Sequence, residues 1–78
     1  MSVQYRLVVA KKDERVEGPD DASIVFSAPV ATVTADGFDA TVEFMRGNVK
    51  ASGHSGEVLA ALHTGEATAA FTRLASEL

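Results

Sequence analysis

The stretch Phe44-Met45-Arg46-Gly47-Asn48-Val49-Lys50-Ala51-Ser52-Gly53-His54-Ser55-Gly56 limits the fold more than any other part of the chain. It reads as the end of a helix, a turn, a short strand and a second turn that opens another helix. Arg46 suits the negative end of a helix, and Gly47 can take the left-handed backbone that ends one. Val49 and Ala51 then alternate with Asn48, Lys50 and Ser52, the period-two pattern of a strand with one wet face. Gly53 and Gly56 bracket His54-Ser55 before the apolar run Val58-Leu59-Ala60-Ala61-Leu62.

Upstream, the pattern is that of strands. Val3, Tyr5, Leu7 and Val9 alternate with Gln4, Arg6, Val8 and Ala10, giving one wholly apolar face and one mixed face. Lys11-Lys12-Asp13-Glu14 is a polar turn and Arg15-Val16-Glu17 a returning strand, so residues 3–17 predict a hairpin. Gly18-Pro19-Asp20-Asp21 breaks the pattern, and Ser23-Ile24-Val25-Phe26-Ser27 has the composition of a third strand. Over residues 29–35 two readings compete. Val30-Ala31-Thr32-Val33-Thr34 has strand propensity, whereas Pro29 suits the first turn of a helix capped near Ser27 or Ala28 and closed by Gly37.

Helical signals follow. Asp39 can cap a helix carrying Val42 and Met45, with Phe38 as the preceding apolar contact. Ser55 can cap the next, which has Glu57 in its first turn and Val58, Leu59 and Leu62 on one face. Ala67, Ala70, Phe71, Leu74 and Leu78 recur at the helical period in the last. The expectation is a single domain over residues 1–78: a mainly antiparallel four-stranded sheet with helices packed on one face. With 78 residues and no cysteine, its stability must come from that one core, without disulfides.

Phe44 to Gly53, Gly56 and the apolar run to Leu62 resemble the C-terminal half of the sterol carrier protein type 2 family, most clearly over residues 23–62. The resemblance implies a lipid-binding α+β domain with a hydrophobic cavity between sheet and helices, and it favours a helix over residues 29–35. The expected ligand is a fatty acid or sterol-like molecule, lined by Phe26, Phe38, Val42, Phe44, Met45, Leu59, Leu62, Phe71 and Leu74. The same residues can instead form a filled core, which makes the chain a non-enzymatic protein-interaction or dimerisation domain. Family members usually begin with an amphipathic helix over the sheet, and here Val3 already opens the first strand. Because both faces of the sheet carry apolar residues, a homo-oligomer or a partner subunit covering the sheet is expected.

Other chemistries have little in the sequence to support them. His54 and His63 have no acidic or cysteine partner at ligand spacing, so no metal is expected. Ser52 and Ser55 lack a nucleophile elbow and an oriented base, and no cofactor motif is present, so no enzyme is expected. Asp20-Asp21 reads as a turn, since a calcium loop needs more oxygen ligands. Seven Lys and Arg against eleven Asp and Glu give a net charge of −4, which argues against nucleic acid. Lys11-Lys12, followed by two acids, allows at most transient membrane contact. With no apolar leader or span, a cytoplasmic protein is expected.

Overall fold

The computed structural model describes residues 2–77. Its elements in order are β1 (Val3–Ala10), β2 (Asp13–Glu17), β3 (Ile24–Pro29), α1 (Val30–Val33), α2 (Ala40–Met45), β4 (Lys50–Ser52), α3 (Ser55–His63) and α4 (Glu66–Ser76). The four strands lie in the order β2-β1-β3-β4. β1 and β2 form the expected hairpin, with Tyr5 opposite Glu17 and Val8 opposite Glu14. β4 runs antiparallel to β3, with Ala51 opposite Phe26.

The expectation of a mainly antiparallel sheet holds in part. β3 lies parallel to β1, pairing Val3 with Ile24, Tyr5 with Phe26 and Leu7 with Ala28. The sheet is therefore mixed, with one parallel pair between two antiparallel ones. The cause is the segment 18–23, which leaves β2 near the start of β1, crosses that strand and starts β3 on its far side. It passes on the face opposite the helices, where Gln4 Nε2 donates to the carbonyl of Pro19 (3.0 Å) and to Asp20 Oδ1 (3.4 Å). Gln4 Oε1 accepts from Arg6 Nε at 2.8 Å, so this fully buried amide has partners on both ends. Gly18 makes the crossing with φ +110, and a Cβ there would strike the Val3 carbonyl oxygen.

The helices cover the face carrying Tyr5, Leu7, Ile24, Phe26 and Ala28, all buried together with Phe71, Leu74 and Leu62. The other face is half wet. Val8 and Val25 are half-buried there, Val16 is exposed, and Arg6 pairs with Glu14 at 3.2 Å.

Local chemistry explains most helix ends. Residues 30–33 are helical as the resemblance implies, but Pro29 ends β3 in an extended conformation and stands at the cap position. Thr34 closes α1 by donating both its N–H (2.9 Å) and its hydroxyl (2.8 Å) to the Val30 carbonyl. Asp39 caps α2, its Oδ1 accepting from the amides of Thr41 (2.9 Å) and Val42 (3.4 Å). Gly47, at φ +83, ends it: its N–H donates to the Phe44 carbonyl, and that of Asn48 to the Glu43 carbonyl. This is the Schellman arrangement. The cap of α3 differs from expectation, since His54 holds that position without a side-chain bond and Ser55 is the first helical residue. Ala67, Ala70, Phe71 and Leu74 form the buried stripe of α4, while Leu78 lies outside the described residues.

The crossing predicts unequal costs for two glycines. Gly18→Ala should destabilise by about 2–4 kcal/mol, because backbone strain is joined by a backbone clash. Gly37→Ala, at φ +73 with open space around it, should cost about 1–2 kcal/mol. Urea unfolding of both variants checks this, and equal losses would count against a tight crossing.

Candidate functional site

The residues proposed as a ligand lining fall into three groups. Phe26, Leu62, Phe71 and Leu74 are sealed in the core, and Phe38 and Phe44 are half-buried against it. Val42, Met45 and Leu59 face solvent, Met45 with 77% and Leu59 with 54% of their surface exposed. They do not enclose one common space.

Aromatic packing fills the centre. Tyr5 and Phe26, neighbours across the parallel pair, stack with ring centroids 5.6 Å apart and an interplanar angle of 8°. Phe71 of α4 meets Tyr5 edge-on at 5.7 Å, and Phe38 meets Phe71 edge-on at 6.2 Å. Such pairs contribute about 0.5–1.5 kcal/mol each beyond area burial.

Two concavities lie outside this core. A cleft of about 550 Å³ between α1 and α2 is lined by Asp36, Asp39, Glu43 and Arg46 along with Phe38, Val42, Ala31 and Thr32. Its acidic rim disfavours an apolar occupant, because burying a carboxylate without a partner is costly. The second, about 210 Å³, is lined by Phe44, Ala51, Gly53, Ser55, Val58 and Leu59. None of these side chains ionises. β4 is the edge of the sheet, so this groove opens at the rim between β4, α2 and the first turns of α3.

Local sequence sets that groove. Phe44 is held by the α2 ending at Gly47, and Ala51 points to the helix side of β4 because it pairs with buried Phe26. Gly53 turns the chain at φ +130, where a Cβ would lie 2.8 Å from the Ser23 carbonyl oxygen. Val58 and Leu59 follow in α3, Val58 buried and Leu59 exposed. Phe44 and Leu59 were among the expected lining. Ala51 and Val58 were not, although the alternation of β4 and the apolar run of α3 both marked them.

The charged groups cluster elsewhere. Arg73 of α4 donates to Glu17 of β2 at 2.7 Å and to Glu66 at 2.9 Å, tying the edge hairpin to the last helix. Those carboxylates hold the guanidinium above its ordinary range. Burial, followed by the nearby Glu66 and Glu17 carboxylates, raises the Tyr5 phenol, and Arg73 partly opposes this. Among the described residues no cluster of His, Asp and Glu forms a metal site, and no helix is long and apolar enough to cross a membrane.

Two predictions follow from these placements. Phe71→Ala should cost about 3–5 kcal/mol and Leu59→Ala well under 1 kcal/mol, read by thermal or urea unfolding. Similar costs would mean that Leu59 is core. The second concerns alkali. A raised Tyr5 pKa means that folding favours the neutral phenol, so its contribution is complete below the ordinary phenol value near pH 10 and declines as pH rises above it. Tyr5→Phe should flatten the stability curve there, and an unchanged alkaline slope would refute the assignment.

The chain matches no protein-family model, no curated protein and no solved structure.

Proposed function

We propose that this protein is a non-enzymatic binding module for a flexible apolar chain of the fatty-acyl type, held in the groove at the β4 rim. The observation that carries the proposal is the groove lining, whose side chains are apolar apart from the Ser55 hydroxyl and include no ionisable group. The resemblance over residues 44–62 supports the same ligand class. A rigid sterol-like ligand is disfavoured, because its fused rings must be enclosed as one body, whereas a flexible chain can lie along an open groove of about 210 Å³ with part of its length outside. A single hydroxyl, Ser55, with no base in the lining, supports binding rather than turnover. The cytoplasmic setting expected from the sequence remains part of this proposal.

A second reading, a protein-interaction module, is favoured by the exposure of Val42, Met45 and Leu59, since a protein partner would cover such side chains. One experiment separates the two. The protein is titrated with a sixteen-carbon fatty acid and binding is followed by native mass spectrometry and displacement of a fluorescent acyl probe. The acyl reading expects a discrete adduct whose affinity drops by about tenfold or more in Leu59→Glu, with stability nearly unchanged. No adduct, or equal affinity in both proteins, overturns it in favour of the interaction reading.

A further inference from the structure

We infer that two copies of the chain associate through their β4 edges, continuing the sheet across a two-fold axis, and that the partner copy completes the apolar groove. The second clause rests on the acyl-binding reading above; the first stands without it.

β4 is an edge strand, and among the described residues Lys50, Ala51 and Ser52 make no backbone hydrogen bond outside their ladder with β3. Such an edge is a template for another strand. The opposite edge, β2, reads Asp13-Glu14-Arg15-Val16-Glu17. Paired antiparallel with a copy of itself about its centre, it sets Arg15 against Arg15 and Asp13 against Glu17, both like-charge contacts that destabilise a ladder. β4 has no such conflict. Centred on Ala51, its antiparallel self-pairing sets Lys50 against Ser52 twice.

The two-fold axis of a continued antiparallel sheet stands perpendicular to it, so the helix layers of both copies lie on the same side. The two β4 grooves then meet at the axis, with Phe44 and Leu59 of each copy facing the other's. Each groove holds about 210 Å³, and two of them, roughly 420 Å³, reach the size range of ligand-enclosing pockets. The ladder itself spans only about 10 Å. A stable interface takes about 800 Å² per partner, about a sixth of the 4684 Å² surface of this molecule, so most of the contact must come from exposed α2 and α3 side chains. The association is accordingly weak, with a dissociation constant on the order of micromolar or above.

Sedimentation equilibrium of the full chain without ligand, from about 1 µM to about 1 mM, tests this. The expected result is a concentration-dependent monomer and dimer. Ser52 is exposed, so two opposite substitutions there leave the fold intact. Ser52→Lys sets lysine against Lys50 at both symmetric positions and should weaken the dimer by about two- to thirtyfold, and Ser52→Glu should tighten it by a similar factor. A monomer at every concentration, or two variants that associate equally, overturns the inference. A monomer that still takes up the fatty acid defeats this assembly and leaves the acyl reading intact. A β4 dimer that takes up none does the reverse.

Discussion

The crossing of segment 18–23 over the start of β1 sets the rest of the architecture. The hairpin brings the chain back beside the beginning of β1, and the buried Gln4 amide fastens the crossing by donating to Pro19 and Asp20. β3 must then start next to Val3 and run with β1 rather than against it. That parallel pair sits at the middle of the sheet, sends β2 to one rim and leaves the other to β4. An uncrossed meander of the same segments would put β3 beside β2 and change which residues lie at the edge.

The same pairing decides what the interior can hold. It sets Tyr5 beside Phe26 on the helix side, where their rings stack, and Phe71 and Phe38 close over them from α4 and the loop before α2. Four aromatic rings in so small a domain occupy the layer where the family resemblance implies a cavity. Interiors are close-packed, and an empty space of ligand size would forfeit dispersion contacts around its whole lining. Concave surface lined without an ionisable side chain lies instead where the helical layer runs out, at the short strand β4.

Much of this was legible in the residues. The alternation of Val3 to Val9, the turn at Gly47, the Asp39 cap and the stripe of Ala67, Ala70, Phe71 and Leu74 are local patterns, and local physics determines them. Whether β3 pairs beside β1 or β2 is a matter of chain crossing, and Gly18-Pro19-Asp20-Asp21 announces a turn without its direction. Likewise, Met45 and Leu59 read as lining because they are apolar at helical spacing. Periodicity does not reveal how far a neighbouring element extends, and here Met45 is left exposed and Leu59 is covered on one side only, at the groove. Ala51 carried its signal in the β4 alternation, but a small side chain draws little notice until its place at a rim is known.

The crossing and the groove are mechanically joined. Ser23, at the end of the crossing segment, exchanges hydrogen bonds with Ser2: its N–H donates to Ser2 Oγ at 3.0 Å and its hydroxyl to the Ser2 carbonyl at 3.1 Å. Its own carbonyl lies so close to Gly53 that no side chain fits between them. Gly53 in turn lines the groove and directs the chain from β4 into α3. The start of β1, the crossing and the mouth of the groove are thus joined through the Ser2–Ser23 hydrogen bonds and the close approach of Ser23 to Gly53. At Gly53 the neighbour is backbone, so no flexible side chain is there to absorb a displacement. A bulkier residue at 53 would therefore displace the backbone where β4 turns into α3 and alter the groove at one of its own lining positions.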